Sequence, residues 1–592
     1  MTLVPQPKRM RVHRGSLDLR GIEVVMNVQC DRRIFNACRT LANEIESVTG
    51  AFSKVNKAFD PASCGVCVSV CAGNKKNVES YSLTVDESGV KIVSQSLAGA
   101  FYGIQTLRQL VQDGEGEIKY CELKDEPDMR ERGYYLDVSR GRVPTVEGVK
   151  KIIDMLALYK INMLQVYIEH AFDFKEYRCF LDPDGYMTAE EIMELDDYCY
   201  DNFIDFVPSL STFGHLYRLL SSKQYAHLCE LTDYKPDPNP WVNRMLHHTI
   251  DASNPESFEL IKSLIDQFIP LFRSNYFNIC CDETFDLCRG RNAGKDKAKL
   301  YLEFTTKLIN HVSSRGKTAM MWGDIVLNHP EIIPSFPKDM VMLCWDYRDV
   351  PNVGAIDKFA SAGVRQMVCP GCSSWNHFSE AMGYARKNIV AMADGGIKNS
   401  ALGMLNTSWG DYGHVCSFNC SLYGLVLGAV KAWRSETDVF SAEYNKAVSS
   451  LVYGDPTGRT VELIEKLGET ESVMNWGIFT QWHYGVHSYY GKALELGEKD
   501  AAKFIENARV CFDIAKEFAS SGGGEIYEDL ELAAQADGYL SMGFARMLGA
   551  DVKVSESEFL NWSELYAASW LRDNKVSDLY LIPSLMRKVL FD

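Results

Sequence analysis

Between residues 130 and 410 the sequence alternates. Strand-like runs at 132–139, 162–169, 204–211, 276–282, 318–324, 341–346, 365–371 and 401–408 are each followed by helical or loop sequence. Helical spacing of apolar residues is clear over 145–160, 256–272 and 296–314. Eight such units in about 300 residues constrain the fold more than any other feature, and they predict a (β/α)8 TIM barrel. An open, doubly wound sheet is the alternative. It would carry a glycine-rich phosphate loop after a strand, and no strand here is followed by one.

The flanks read differently. Residues 1–125 predict a small α+β domain. Its strands are Gly21–Met26 and a pair, Tyr81–Val85 and Gly89–Val93; its helices are Asp31–Gly50 and Leu97–Val111. The barrel is assigned to 126–440. Residues 441–592 predict an α-helical C-terminal region broken at Gly454-Asp-Pro-Thr457 and Ser521-Gly-Gly-Gly524.

Sixty-two Lys and Arg against 79 Asp and Glu give a net charge of −17. That excludes a general nucleic-acid or anionic-membrane binder. The one basic run, Lys8-Arg9-Met10-Arg11, reads as a solvated tail. The N-terminus has no apolar core, so no signal peptide is expected. No run reaches the roughly 18 apolar residues of a membrane span. Eighteen scattered cysteines read as free thiols in a reducing cytoplasm. Cys64, Cys67 and Cys71 have metal-like spacing, but Val66, Val68 and Val70 alternate as in a half-buried strand. Cys369-Pro-Gly-Cys372 lacks a thioredoxin context, and Cys280-Cys281 read as buried small thiols. No metal and no cofactor are expected.

The active site of such a barrel lies at the C-terminal ends of its strands. Those ends read Asp137-Val-Ser-Arg140, Glu169-His170, Ser211-Thr-Phe-Gly-His215, Asp282-Glu283, Trp322-Gly-Asp324, Trp345-Asp-Tyr347, Trp375-Asn376 and Trp409-Gly-Asp411. Four of the ten tryptophans fall on four successive strand ends, each beside a carboxylate or an amide. Aromatic walls with a few placed polar groups suit a sugar, whose apolar face packs on indole. Asp282-Glu283 follows the buried run Tyr276-Phe-Asn-Ile-Cys-Cys281, so two acids emerge together from the core. Cleaving a glycoside needs a carboxylic acid for the leaving oxygen and a group to capture the cationic carbon. Neighbours on one strand do not readily face each other across a sugar ring. They fit a mechanism in which the substrate brings its own nucleophile and the second carboxylate orients it.

These motifs resemble glycoside hydrolase family 20, the β-N-acetylhexosaminidases, over roughly residues 60–440. Tyr81-Ser-Leu-Thr-Val85 through Gly99–Leu110 resembles the family's small domain, and Gly133-Tyr-Tyr-Leu-Asp-Val-Ser-Arg140 resembles its first barrel strand. Phe213-Gly-His215 resembles its glycine-histidine, Asp282-Glu283 its catalytic pair, and Trp409-Gly-Asp411 its last tryptophan and acid. The resemblance implies an exo-acting, retaining enzyme that removes terminal β-linked GlcNAc or GalNAc through an oxazolinium intermediate. It implies that Asp282 accepts the acetamido N–H, that Glu283 is acid and then base, that His215 bonds Glu283, and that Arg140 holds sugar hydroxyls. Tyr347 is the candidate donor to the acetamido oxygen. Glu169, Trp322, Asp324, Trp345, Trp375, Asn376, Trp409 and Asp411 complete the candidate substrate-binding set. The sequence departs from the family in three places, one being that Trp375 is followed by Asn376 where the family's tyrosine commonly follows a tryptophan after strand seven. Asn278-Ile-Cys280-Cys-Asp-Glu283 stands for the common His-x-Gly-x-Asp-Glu, and Glu169-His170-Ala171 stands where two aspartates are common. Glu169 is then the candidate to face His215.

The expected partner is an oligosaccharide or glycoconjugate ending in N-acetylhexosamine, with no nucleic acid and no membrane. The C-terminal helices, with Trp476, Trp482, Tyr484, Tyr489 and Tyr490, are read as core, with a homodimer contact or an edge of the barrel mouth as alternatives. Two other readings stay open: a glycosidase using Glu169 with Glu283 at about 5–5.5 Å, and an inactive sugar-binding protein.

Overall fold

The computed structural model describes residues 1–61, 65–71, 73, 78–245, 248–471, 475–485 and 501–592. Eight parallel strands close into a barrel: β1 Glu131–Asp137, β2 Met163–Ile168, β3 Asp205–Leu210, β4 Tyr276–Asn278, β5 Thr318–Trp322, β6 Val341–Trp345, β7 Arg365–Cys369 and β8 Gly403–Ser408. Closure is made by β8 on β1, from Gly403 opposite Glu131 to Ser408 opposite Leu136. The eight-unit expectation therefore holds.

Side chains two apart along each strand share a face. Tyr135, Met163, Tyr167, Val207, Met320, Trp322, Val341, Leu343, Met367 and Leu405 fill the barrel interior, with Cys280 from beyond β4 and Trp409 from beyond β8. The alternate positions, such as Tyr134, Leu164, Val166, Met342 and Met404, belong to the larger core shared with the surrounding helices. Both faces are dry, which is why these strands read as nearly continuous apolar runs.

The N-terminal unit is a seven-stranded sheet in the order Arg9–Asp18, Glu117–Asp125, Tyr81–Asp86, Gly89–Ser94, Gly65–Val70, Val24–Asn27, Val55–Ala58. Helices Arg32–Thr49 and Leu97–Gly114 pack against each other beside it. The expected hairpin is present, with Tyr81 opposite Ser94. The basic run is not a tail. It opens the edge strand Arg9–Asp18, antiparallel to Glu117–Asp125. Its backbone pairs while nearly all its side chains stay exposed, so no apolar alternation marked it. Val66 and Val68 are fully buried in Gly65–Val70, as a strand requires; Cys64 lies outside the described residues.

Buried ion pairs join this unit to the barrel. Lys160 Nζ lies 3.1 Å from Asp125 Oδ2, which also accepts Trp433 Nε1–H at 3.0 Å. Among the described residues, seven helices follow residue 440: Ala442–Tyr453, Arg459–Glu471, Trp476–Tyr484, Ala501–Ser520, Glu525–Met547, Glu556–Asp573 and Leu581–Phe591. Trp476 is fully buried, and Trp482 packs edge-on against Phe544; Tyr489 and Tyr490 lie outside the described residues. Among the described residues no helix is long and apolar enough to cross a membrane.

Candidate active site

The strand ends converge on Arg140. Asp137, the last residue of β1, turns the chain by accepting the N–H groups of Ser139 and Arg140 at 2.9 and 3.2 Å. Its other oxygen accepts Gly410 N–H at 2.9 Å, tying the β1 loop to the β8 loop. The Arg140 guanidinium is then gripped on every side. Nε donates to Glu169 Oε1 at 3.1 Å, and Nη1 lies 3.5 Å from both Asp137 and Asp411. Nη2 lies 3.2 Å from His215 Nδ1, and the rings of Tyr167 and Trp409 flank the plane at 5.1 and 5.2 Å.

Glu169 is buried, which favours its neutral form, but Arg140, His170 and His215 outweigh that and hold its pKa at about 2. It also accepts Tyr167 O–H at 2.9 Å. The expectation that Glu169 faces His215 is therefore corrected: Arg140 stands between them, and the extra methylene of Glu169 reaches the guanidinium instead.

His215 follows a glycine for a steric reason. A Cβ on Gly214 would sit 2.6 Å from the carbonyl oxygen of Asp282, so only glycine lets the β3 and β4 loops approach this closely. His215 Nε2 lies 3.3 Å from Asp282 Oδ2 and 3.3 Å from Glu283 Oε2. Burial and Arg140 oppose a charge on the ring, but the two carboxylates prevail and raise its pKa to about 10. Glu283 N–H donates to Asp324 Oδ2 at 3.0 Å. Asp324 is pushed up to about 7 by burial and then by the charge of Asp282. Asp411 is pushed up to about 6 by burial, with Arg140 opposing.

The aromatic residues assemble as well. Trp322 and Trp409 have centroids 5.8 Å apart, and Trp409 Nε1 donates to Tyr347 O–H at 2.8 Å. Tyr347 stacks on Trp345 at 5.0 Å and meets Trp375 edge-on at 5.1 Å. Asn376 Nδ2 donates to Asp411 Oδ2 at 3.4 Å. Sequence reasoning missed Tyr135 and Tyr167, which pack on Trp409 at 4.9 and 5.2 Å from below. Their inward register on β1 and β2 was the available signal. It also missed Asp137 as the staple between loops.

Backbone strain collects here. His215, Cys280, Cys281, Glu283, Asn376 and Asp411 all have positive φ, from 38° to 65°. Such conformations are costly for non-glycine residues and persist where the surroundings dictate them.

Residues 130–378 match the family model described as glycosyl hydrolase family 20, catalytic domain, and residues 1–126 match glycosyl hydrolase family 20, domain 2. The chain belongs to glycoside hydrolase family 20. A beta-hexosaminidase of Porphyromonas gingivalis is 27% identical over 324 residues, covering 49% of this chain and 41% of its own length. One of Vibrio vulnificus is 25% identical over 436 residues, covering 62% and 50%. The chain thus spans half or less of these two relatives' lengths. The chitobiase of Flavobacterium johnsoniae shares the fold over 99% of both chains, at 19% identity and a TM-score of 0.65. The N-acetyl-beta-hexosaminidase of Streptomyces plicatus shares it over 77% of this chain and 95% of its own, at 18% identity and a TM-score of 0.62.

Within family 20 the departures at Asn278 and Cys280 have local explanations. Asn278, where histidine is common, donates to Gln165 Oε1 at 3.0 Å inside the barrel. Cys280, where glycine is common, keeps the left-handed backbone at φ 56° and sets its thiol 3.4 Å from Ser209 Oγ.

Proposed function

We propose that the protein removes terminal, non-reducing β-linked N-acetylhexosamine from oligosaccharides or glycoconjugates, with retention, using the substrate's 2-acetamido group as nucleophile. The observation that carries this is the single imidazole nitrogen 3.3 Å from both Asp282 and Glu283. Two carboxylates that share one donor lie side by side, so they do not flank a sugar ring as nucleophile and acid. Asp282 accepts the acetamido N–H and turns the acetamido oxygen onto the anomeric carbon. Glu283 gives its proton to the leaving oxygen, the C–O bond breaks, and an oxazolinium forms. Glu283 then takes a proton from the water that reopens it. Arg140 and Asp411 hold hydroxyls, Trp322, Trp345, Trp375 and Trp409 wall the sugar, and Tyr347 donates to the acetamido oxygen. In support of that last role, the Tyr347 hydroxyl is held among the tryptophans of the barrel mouth, accepting from Trp409 Nε1.

The proposal includes a reducing cytoplasm, supported by the absence of any disulfide among the described cysteines. It also includes a homodimer, supported by exposed Leu560, Leu565, Leu571 and Leu581 on the last two helices and Tyr580 between them. p-Nitrophenyl glycosides of GlcNAc, GalNAc and galactose test the activity. Release from one or both of the first two and none from the third is expected; cleavage of the galactoside, or of none, refutes it.

A further inference from the structure

We infer that Asp324 aims the Glu283 carboxyl: by accepting the Glu283 backbone N–H, it holds the turn that brings Glu283 to the same side of the chain as Asp282. The inference rests on the reading of Glu283 as the acid.

Neighbouring side chains on an extended strand point to opposite faces. Asp282 and Glu283 are neighbours, yet an oxygen of each lies 3.3 Å from His215 Nε2. The chain must therefore leave the extended form here, and it does. Glu283 has φ 46°, in the left-handed region that a residue with a Cβ avoids. Phe285 N–H returns to the Glu283 carbonyl at 2.6 Å, within the same turn.

A turned residue needs a new partner for its amide. Up to Cys280 the chain beyond β4 is tied to β5 by backbone. Ile279 N–H bonds the Met320 carbonyl at 2.9 Å, and Trp322 N–H bonds the Cys280 carbonyl at 3.0 Å. At Glu283 the tie is a side chain instead, with the N–H donated to Asp324 Oδ2 at 3.0 Å. Asp324 offers that oxygen from a fixed place. It opens the helix Asp324–Asn328 directly after β5. Gly323, before it, donates its N–H to the Leu343 carbonyl of β6 at 3.0 Å, and its own carbonyl accepts Leu327 N–H at 2.9 Å. A Cβ on Gly323 would lie 2.8 Å from the Phe359 ring, so the backbone here packs directly on that ring.

The role asks for a lone pair, not for a charge. Burial and the charge of Asp282 already push Asp324 up to about 7, and a protonated carboxyl still has an oxygen that accepts. The bond runs to the Glu283 backbone, so it sets where that side chain starts without occupying its carboxyl. Asp324 is thus a positioning residue, acting through Glu283.

A mis-aimed acid fails most where the leaving group needs it most. The test is kcat/KM, at each variant's own optimal pH, over a series of aryl N-acetylglucosaminides and a natural disaccharide. Asp324→Ala removes the acceptor, and Asp324→Glu displaces it by one methylene while keeping the charge. Each should lose about 10–100-fold on the disaccharide and less than about threefold on the most activated aryl glycoside, so the slope against leaving-group pKa steepens. Asp324→Asn keeps an oxygen in place without the charge. It should keep the wild-type slope, at a level no more than about tenfold lower. A steeper slope in at least one of the first two, with the wild-type slope in Asp324→Asn, supports the inference; any other pattern overturns it. If one of the first two does not fold, the other decides.

A second readout needs no turnover. Hydrogen exchange at the Glu283 amide should be about tenfold or more faster in Asp324→Ala than in the wild type and Asp324→Asn; equal exchange overturns the inference. Failure of the wild type to cleave any N-acetylhexosaminide would refute the proposed function, and the exchange would still decide whether Asp324 holds the turn.

Discussion

Asp282→Asn exchanges one carboxylate oxygen for an amide nitrogen of nearly the same shape, and the neighbours decide which. His215 Nε2, 3.3 Å from Oδ2, presents a hydrogen, so the amide oxygen takes that side. The NH2 is then turned to where the acetamido N–H arrives, and donor meets donor. Only a charge-assisted contact in a buried site is lost, together with the orientation of the nucleophile. Contacts of that kind are worth about 10²–10³ in rate, or about 2.7–4 kcal/mol. Asp282 acts on the acetamido group whatever departs, so good and poor leaving groups should lose rate alike. The assay is kcat/KM over a series of aryl N-acetylglucosaminides and a natural disaccharide. For Asp282→Asn the slope against leaving-group pKa should match that of the wild type at a lower level. Glu283→Gln should steepen it, because the missing acid matters most for the poorest leaving group, and oxazoline breakdown should then limit turnover. A thiazoline mimic should bind Asp282→Asn weakly. Wild-type activity in Asp282→Asn, a changed slope, or a sugar ester trapped on either residue would refute the reasoning.

Trp409→Ala should raise KM and lower kcat together, since a loosely held sugar is also misaligned; the lost sugar contact should cost about 1–3 kcal/mol, and unchanged kinetics would remove Trp409 from the wall. Trp476→Phe keeps the ring packing on Phe479 but strips the 2.7 Å bond from Nε1 to the Tyr412 carbonyl. It should cost about 1–3 kcal/mol in urea melts and raise KM through Asp411; equal stability would contradict it. Glu380 is fully buried, and burial raises its pKa from 4.5 to about 8. Below 4.5 both states hold the proton. Between 4.5 and 8 only the unfolded chain releases it, so stability falls as pH rises, by about 1.4 kcal/mol per unit, and levels off above. Glu380→Gln should flatten that slope; a parallel pH profile would disprove the raised pKa.

The barrel was legible because its strands bury both faces and end in polar residues, two signals that coincide at every unit. The Trp-acid strand ends were legible for the same reason. The edge strand Arg9–Asp18 was not, because its pairing is made by backbone and its side chains face water. The gap between Glu169 and His215 was illegible for another reason. A sequence places both at strand ends, but one methylene of reach decides whether a carboxylate meets a ring or the arginine beside it. The positive φ of Cys280 and Cys281 is also invisible in composition. It goes with long-range bonds, Trp322 N–H to the Cys280 carbonyl at 3.0 Å and Tyr301 O–H to the Cys281 carbonyl at 2.8 Å.

The helix Trp476–Tyr484 bears on the order in which the chain is made. Its Trp476 backbone N–H bonds the Asn376 carbonyl at 2.9 Å, its indole bonds the Tyr412 carbonyl, and Gln481 bonds the Tyr412 hydroxyl at 3.1 Å. A ribosome that has released β8 has supplied every strand of the barrel and the ties from Asp137 and Asn376 to the loop bearing Asp411, yet the bonds from this helix come only when some seventy further residues have emerged, a few seconds to about fifteen seconds of synthesis. The last bonds that fix this part of the site are therefore acquired after the catalytic strands are complete.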